Sequence, residues 1–341
     1  MRLFKYISTA ALLLALAFVL DSRRIAAPHL LSGKVFGTYY HVKIAGQAPS
    51  PDLEKRIEQV FDDVNRHLSV FTPESEINRL NRAAIGEKFN LSPDLALLLK
   101  TSAEINRQSD GYFDPTVAPL VNLWGFGPRG KVEKIPDPKQ IDAVLSTVGF
   151  HQLHFAPDFR SVVKKNQQTS LNLSAIAKGY AVDKIASLLE NDGIRNYIVE
   201  IGGEIKAAGE KSPGKSWTVG VAFPSADVSG NILALQLKDM AVATSGDYHN
   251  FFNWNGKRYA HTISPFDGRP IEHNLASATV LAPDCMTADA YATAIMALGE
   301  DRGLALAEKL NLPVILFVRE ADDSIKSVYS SAAASYMGEQ Q

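Results

Sequence analysis

The stretch NYIVEIGGEIKAAG at residues 196–209 decides the fold class, because it begins a succession of strand-like segments. The segments that follow it are SWTVGVAF at 216–223, ILALQLKDMAVATSG at 232–246 and KRYAHTISPF at 257–266. Consecutive strands with no helix between them favour antiparallel pairing. We therefore predict an α+β fold with mixed or antiparallel sheets and flanking helices, rather than a doubly wound α/β fold.

Segments with helical spacing lie on both sides of this strand-rich centre. Apolar residues three and four positions apart, followed in several cases by a glycine, predict helices within 50–71, 92–111, 137–149, 178–194, 284–299 and 301–311. Alternating or continuous apolar runs predict further strands within 33–44, 151–176, 276–283 and 312–320. A chain of this length allows roughly two domains of ordinary size or one large one.

The bulk composition is that of a soluble globular protein. The chain has 341 residues, 46% of them apolar and 21% charged, with a net charge of −2. A near-neutral chain without runs of basic residues argues against nucleic-acid binding. Cys285 stands alone in the sequence, so no internal disulfide and no cysteine metal cluster can form.

The first 24 residues have the pattern of a signal peptide or membrane anchor. Arg2 and Lys5 precede an apolar run over 6–20, which is shorter than the ~20 residues of a typical transmembrane helix. A buried N-terminal helix is the alternative. We expect an exported protein, at the periplasmic face of the inner membrane or in the periplasm, that associates with the membrane through this segment. Residues 25–32 would form a linker, 33–335 the main folded domain and 336–341 a tail.

Two segments combine glycines with polar groups. The first, GYFDPTVAPLVNLWGFGP at 111–128, is either a loop with packing aromatics or an aromatic-walled slot for a flat ligand. The second, LNLSAIAKGYAVD at 171–183, places Lys178 at a passage from strand to helix, where backbone N–H groups suit a phosphate. It lacks the spacing of a Walker loop.

Two shorter glycine-containing segments fit either a structural or a binding role. In VEIGGEI at 199–205, the glycines form a turn or bulge, or let a ligand approach the backbone. In ATSGDY at 243–248, Ser245 precedes a glycine, but the surroundings of a hydrolase nucleophile are missing.

The remaining candidates are one histidine and a pair of oxygen-bearing side chains. His261, which we place on a strand, is either structural or a base near a phosphate. Asp289 and Thr293 are four residues apart, which puts them on one helix face about 5–6 Å apart. They form either a hard-cation site or a surface Asp with a Thr that bonds to the preceding turn.

Seven of these segments, in this order, resemble the ApbE family of FAD:protein FMN transferases. They are FGTYY, DGYFDPTVAPLVNLWGFGP, LNLSAIAKGYAVD, VEIGGEI, ATSGDY, HTISPFDGRPI and TADAYATAIMALG. The resemblance implies a T-fold-like α+β domain that binds FAD in a cleft. It also implies Mg²⁺-dependent cleavage of the FAD pyrophosphate, transfer of FMN to a Thr or Ser of an exported or membrane redox protein, and release of AMP.

The resemblance also implies roles for individual residues. Asp289 and Thr293 would bind Mg²⁺ through their side chains, and Ala175 through its carbonyl oxygen. His261 would be the base, or orient the acceptor hydroxyl, and Asp289 would hold the catalytic ion. The FAD site would comprise Phe36, Phe71, Tyr112, Phe113, Asp114, Asn172, Lys178, Gly202, Gly203, Ser245, Gly246, His261 and Ile263.

Two other functions fit much of the same sequence. A Mg²⁺-dependent FAD pyrophosphatase would use the same metal and pyrophosphate site, with water in place of the acceptor hydroxyl. An exported flavin-binding protein without turnover would need the FAD site alone. The residues Asp289, Thr293 and His261 favour chemistry over passive binding.

Overall fold

The structure is a computed structural model that describes residues 27–128, 130, 135–224, 232–247, 251–254, 257–322 and 324–336. The strands of these residues are β1 (His29–Val35), β2 (Thr38–Ile44), β3 (Lys88–Asn90), β4 (Leu153–Phe155), β5 (Ser161–Lys164), β6 (Tyr197–Ile201), β7 (Glu204–Ala208), β8 (Trp217–Ala222), β9 (Ile232–Leu237), β10 (Met240–Gly246), β11 (Phe251–Trp254), β12 (Lys257–Ala260), β13 (Leu275–Ala282), β14 (Val314–Arg319) and β15 (Ile325–Tyr329).

The helices of the described residues are α1 (Leu53–Leu68), α2 (Glu76–Arg82), α3 (Pro93–Gln108), α4 (Ala118–Leu123), α5 (Pro138–Leu145), α6 (Ala177–Asn191), α7 (Cys285–Leu298) and α8 (Glu300–Leu310). Short 3₁₀ helices cover Pro115–Val117, Phe150–Gln152 and Ser331–Tyr336. All six helices predicted from the sequence are therefore present, as α1, α3, α5, α6, α7 and α8.

The centre of the fold is an eight-stranded sheet in the order β1-β2-β6-β7-β10-β13-β14-β15. All its neighbouring strands pair antiparallel. Smaller antiparallel sheets join β3, β5 and β4, β8 with β9, and β11 with β12. This arrangement confirms the predicted α+β class with antiparallel sheets and flanking helices.

The large sheet is covered on both faces at β14: by helices on one side and by the β8–β9 hairpin on the other. Successive positions of this strand are therefore apolar. Along β14, Val314 and Leu316 join the core under the helices, whereas Ile315 and Phe317 join a second core with the β8–β9 hairpin. Because successive side chains of a strand point to opposite faces, a strand buried on both sides reads as a continuous apolar run. This explains the unbroken apolar sequence that predicted β14.

Helix α7 lies inside this core, which is why its sequence is apolar on nearly every side. Its N-terminus is capped by Asp284, whose side chain accepts a hydrogen bond from the N–H of Thr287 at 2.8 Å. Its residues Ala288, Ala292 and Ile295 are fully buried. The helix therefore holds any polar side chain on it in a fixed position.

The N-terminal strand prediction was wrong in one respect. Residues 29–44 form two strands rather than one, and they turn at Phe36 and Gly37, whose φ angles are 49° and 75°. The hairpin could not be recognised from the sequence, because Phe36 occupies the first turn position, where Asn or Gly is usual. Strand β1 begins at His29, inside the segment 25–32 that was expected to be a linker.

Other differences concern short elements. Helices α2 and α4 and strand β3 lie in segments for which the sequence predicted no element, and each has seven residues or fewer. His261 was expected on a strand, but β12 ends one residue earlier, at Ala260. Residues 196–209 form the β6–β7 hairpin, in agreement with the turn that was one of the two interpretations of Gly202 and Gly203.

The N-terminal segment 1–24, predicted as a signal peptide or anchor, and the tail beyond residue 336 lie outside the described residues. Within the described part of the chain, no helix has both the length and the apolar character to cross a membrane.

Candidate active site

The centre of the candidate site is the contact between the start of α6 and the middle of α7. Asp289 is only 4% exposed, and its Oδ2 accepts a hydrogen bond from the N–H of Gly179 at 3.0 Å. A Cβ atom at Gly179 would lie 2.3 Å from the carbonyl oxygen of Cys285. Glycine is therefore required at this position for the two helices to approach so closely.

A buried ion pair adjoins this contact. Lys178 Nζ pairs with Oε1 of Glu204, the first residue of β7, while Glu204 Oε2 is buried without a hydrogen-bond partner. Lys178 also interacts electrostatically with Asp289. The site thus combines two carboxylates with one ammonium group, which leaves a surplus negative charge when both carboxylates are ionised.

The pKa shifts follow from this burial and charge. Burial raises the pKa of the Glu204 carboxyl; Lys178 opposes the shift and Asp289 reinforces it. Burial also raises the pKa of Asp289, against the opposing effects of Lys178 and the Gly179 N–H. For Lys178, burial lowers the pKa, but the two carboxylates together outweigh it and the pKa is raised. A second cation nearby would relieve the repulsion between the carboxylates.

Two hydroxyl groups complete this part of the site. Thr293 Oγ1 lies 3.1 Å from Oγ of Ser245, which places the end of β10 beside α7. The next residue of the strand, Gly246, pairs with Ser277 of β13. The structure therefore brings Ser245, Thr293 and Asp289 together from segments of the sequence that lie far apart.

Gly202 and Gly203 form the two-residue turn of the β6–β7 hairpin. Their φ angles are 59° and 102°, and both central residues of such a turn need positive φ. A Cβ atom at Gly202 would also lie 2.7 Å from Cγ2 of Thr38. The turn explains both glycines structurally, and it places Glu204 next to the start of α6.

The segment before α6 connects this centre to the predicted aromatic slot. The N–H of Asn172 donates to the carbonyl oxygen of Pro115 at 2.9 Å, and Asn172 Oδ1 accepts from the N–H of Ser174. Ala175, whose carbonyl oxygen was predicted to bind metal, precedes α6 by two residues. The contact joins the segments 111–128 and 171–183.

Asp114 and Phe113 have largely structural surroundings. Asp114 Oδ1 accepts hydrogen bonds from both the N–H and the hydroxyl of Thr116, at 2.8 and 2.6 Å. Burial raises the pKa of Asp114 to about 6, although its hydrogen bonds with Thr116 oppose the shift. Phe113 is 2% exposed and belongs to the main core.

The neighbouring aromatic residues occupy more open positions. The Tyr112 ring lies 4.6 Å from that of Phe266, and the Arg302 guanidinium lies 4.3 Å from the Tyr112 ring centroid. Phe71 is 68% exposed. Phe36 packs edge-on against Phe61, with 5.6 Å between ring centroids.

His261 and Ile263 follow β12; Ile263 belongs to a separate apolar cluster, and His261 lies against Phe126, which packs on that cluster. The His261 ring lies 6.3 Å from that of Phe126, and Ile263 is 4% exposed beside Trp124. Trp124 donates a hydrogen bond from Nε1 to the carbonyl oxygen of Gly268 at 2.7 Å, which fixes this loop.

The residues around Asp289 fit a hard divalent cation. Carboxylate, hydroxyl and carbonyl oxygens are the ligands that Mg²⁺ takes, and it needs only one or two carboxylates from the protein. The described residues contain no group of three or more His, Cys, Asp and Glu that could enclose a metal. The orphaned Glu204 Oε2 and the surplus negative charge favour a cation at this place.

Glu204 was missed as a member of the site, although it lies within the quoted segment VEIGGEI. Its signal was a carboxylate directly after a Gly-Gly turn, at the start of a strand. That pattern does not reveal the pairing with Lys178, since the two residues come together only through the tertiary fold.

Comparisons of the sequence with protein families and with individual proteins point to one family. The ApbE family profile matches residues 36–316. An FAD:protein FMN transferase from Haemophilus influenzae is 39% identical over 339 residues, covering 97% of each chain. Another from Vibrio cholerae is 38% identical over 305 residues, covering 89% of this chain and 90% of that relative.

Solved structures agree with the sequence relatives. The flavin transferase ApbE from Vibrio cholerae superimposes with a TM-score of 0.84 at 37% identity, covering 91% of this chain and 99% of that one. These matches span the elements that carry Lys178, Glu204 and Asp289. The chain belongs to the ApbE family.

Proposed function

We propose that this chain is a Mg²⁺-dependent FAD:protein FMN transferase. It moves FMN from FAD to a Thr or Ser hydroxyl of an acceptor protein and releases AMP. The observation that carries the proposal is the buried Asp289 beside the Lys178–Glu204 pair and the Thr293 hydroxyl, a polar cluster inside the core of a chain related over its whole length to such transferases.

The reaction exchanges one phosphorus–oxygen bond for another. The acceptor hydroxyl oxygen bonds to the phosphorus of the FMN half, and the bond from this phosphorus to the bridging oxygen breaks. AMP leaves with the bridging oxygen, and His261 takes the proton of the hydroxyl. A positioned general base accelerates such a step by roughly 10²–10⁴-fold.

Asp289, Thr293 and the carbonyl oxygen of Ala175 would hold the metal ion. When bound, Mg²⁺ neutralises charge on the pyrophosphate and stabilises the departing AMP. Asp289 keeps its orientation through the Gly179 N–H, and α7 is fixed by its burial. Lys178 and backbone N–H groups at the start of α6 would suit phosphate oxygens.

The partners and location follow from the same proposal. The acceptors are exported or membrane redox proteins that carry a Thr- or Ser-containing flavinylation motif. The N-terminal segment 1–24 directs export and associates the protein with the periplasmic face of the inner membrane.

The test incubates the full chain with FAD, Mg²⁺ and an acceptor domain, and mass spectrometry measures the acceptor. We expect a mass gain of one FMN, which is absent with Asp289→Asn and with an acceptor whose Thr is replaced by Val. Free FMN and AMP with unmodified acceptor would instead indicate a pyrophosphatase. Bound but unconsumed FAD would indicate a flavin-binding protein and overturn both enzymatic functions.

A further inference from the structure

Helices α6 and α7 are joined a second time, one helical turn beyond the Gly179–Asp289 contact. The carboxylate of Asp183, on α6, accepts hydrogen bonds from the backbone N–H groups of Cys285 at 3.0 Å and Met286 at 2.8 Å. Asp183 and Gly179 are four residues apart, so they lie on the same face of α6. One face of α6 therefore holds α7 both at its N-terminus and at Asp289.

This second contact differs from ordinary helix capping. The N-cap residue Asp284 already accepts from the N–H of Thr287 at 2.8 Å, within the same segment of chain. A cap of that kind stabilises a helix wherever the helix lies. Asp183 belongs to another helix, 102 residues away from Cys285 in sequence. Its hydrogen bonds therefore restrict where the N-terminus of α7 lies, as well as satisfying two of its N–H groups.

Strand β7 supports Asp183 from the other side. Lys206 Nζ lies 3.3 Å from Asp183 Oδ1, and both side chains are largely buried, at 19% and 17% exposure. Lys206 is two residues beyond Glu204, so both point to the same face of the strand. Strand β7 thus supplies Glu204 to Lys178 and Lys206 to Asp183. Polar contacts therefore join α6, α7 and β7 at two places, one around Gly179 and Asp289 and one around Asp183.

We propose that Asp183 is a positioning residue that fixes α7 against α6 so that Asp289 and Thr293 form a metal site of defined geometry. This inference rests on the proposed function, because it assumes that these two side chains bind the ion. Without Asp183, the N-terminus of α7 loses its tie to α6, and the positions of Asp289 and Thr293 relative to Ala175 become less restricted. Loss of supporting contacts behind metal ligands typically weakens metal binding by about 10–100-fold.

The experiment compares Asp183→Ala with Asp284→Ala in the full chain. Both variants remove a carboxylate acceptor from the first turn of α7, but only Asp183 ties α7 to α6. Mn²⁺, which favours the same oxygen ligands as Mg²⁺, serves as the probe, and electron paramagnetic resonance measures its binding without turnover. We expect Asp183→Ala to weaken Mn²⁺ binding about tenfold or more, and Asp284→Ala to leave it within about twofold.

A second readout is the Mg²⁺ concentration that gives half-maximal FMN transfer. It should rise in Asp183→Ala, while the rate at saturating Mg²⁺ falls much less. Equal Mn²⁺ affinities in the two variants would mean that Asp183 is only a cap and would overturn the inference. If the wild-type chain itself bound no Mn²⁺, the metal assignment of the proposed function would fail instead.

Two milder variants keep the test decisive if Asp183→Ala does not fold. Asp183→Asn retains one acceptor oxygen, and Lys206→Met removes only the partner of the carboxylate. Both variants should fold, and both should weaken Mn²⁺ binding by a smaller factor than Asp183→Ala does. Of the two, Asp183→Asn should bind Mn²⁺ more weakly. Wild-type affinity in both would refute the positioning role.

Discussion

Gly179 of α6 and Asp289 of α7 meet where the two helices pack closely together. The Gly179 N–H donates to Asp289 Oδ2 at 3.0 Å, and a Cβ atom at Gly179 would lie 2.9 Å from Asp289 Cβ. The missing side chain allows the helices to pack, and the packing brings the N–H within reach of the carboxylate. One residue therefore determines both the geometry of the core and the orientation of the proposed metal ligand.

Gly179→Ala should separate α6 from α7, because the added Cβ would meet the Cys285 carbonyl oxygen at 2.3 Å and the backbone cannot yield without a shift. We expect the free energy of unfolding to fall by about 1–3 kcal/mol, the usual cost of overpacking. Mn²⁺ binding should also weaken, because Asp289 loses its hydrogen bond. Chemical denaturation and Mn²⁺ titration measure the two effects.

Gly303→Ala is the matched control, because Gly303 lies in α8 and its Cβ would contact α7 at Ile295, away from Asp289. Its Cβ would meet Cγ2 of Ile295 at 2.7 Å and the Ile295 carbonyl oxygen at 3.2 Å, a less severe overlap than the 2.3 Å approach to backbone at Gly179. This variant should lose less stability and keep its Mn²⁺ affinity. If the two variants lost stability equally and neither lost affinity, the Gly179 contact would have no special role at the site.

Lys178→Met should be strongly destabilising, because it leaves Glu204 and Asp289 buried without their cation. Breaking a buried pair on one side typically costs about 3–5 kcal/mol. Removing the ammonium raises the folded-state pKa of Glu204 further, and stability from a raised carboxyl pKa is lost as pH rises. The loss should therefore be larger at pH 8 than at pH 6, and smaller in the double variant Lys178→Met/Glu204→Gln. Losses that simply add would show that the pair is not coupled.

Much of the fold was predictable because its signals are local. The apolar spacing of α1 and α6 and the alternation of the central strands each arise within a few consecutive residues. The hairpin between β1 and β2 was not predictable in this way, since Phe36 occupies a turn position with a φ angle of 49° and carries no turn signal.

The site was predictable only in part, because its contacts cross the sequence. The spacing of Asp289 and Thr293 indicated two oxygens on one helix face. It could not indicate the hydrogen bond between Asp289 and Gly179, because 110 residues separate them in the sequence. The resemblance to a family supplied candidate residues, yet it did not suggest Glu204 or Asp183. Their roles depend on which helix faces and strand positions the tertiary fold brings together, and no periodicity records that.

The pKa of Asp114 provides a test that is independent of the metal. Its folded-state pKa is raised to about 6 from the ordinary 3.8, so the folded protein binds more protons between these pH values. The stability that this group contributes is therefore present below about pH 4 and lost as pH rises to about 6. Because Asn cannot titrate, Asp114→Asn should gain up to about 3 kcal/mol relative to wild type over this range.

Urea denaturation of both proteins at pH 4, 5, 6 and 7 measures this difference. Asn keeps an acceptor oxygen for Thr116, so any fixed cost of the substitution would be the same at every pH. The difference in unfolding free energy between Asp114→Asn and wild type should therefore change between pH 4 and 6 and stay constant above pH 6. A difference that stays constant across the range would show that Asp114 titrates normally.

His261→Ala should separate flavin binding from transfer. His261 follows β12 and lies near Phe126, whereas the contacts that hold Lys178, Glu204 and Asp289 come from α6, α7 and β7, so we expect these three residues to stay in place when His261 is lost. We expect FAD affinity, measured by quenching of flavin fluorescence, to change less than about threefold, while transfer slows by roughly 10²–10⁴-fold through loss of the base. His154→Ala, at an exposed position on β4, is the matched control and should transfer FMN at the wild-type rate. Equal transfer rates in both variants would show that His261 is not the base. The proton of the acceptor hydroxyl would then pass to water.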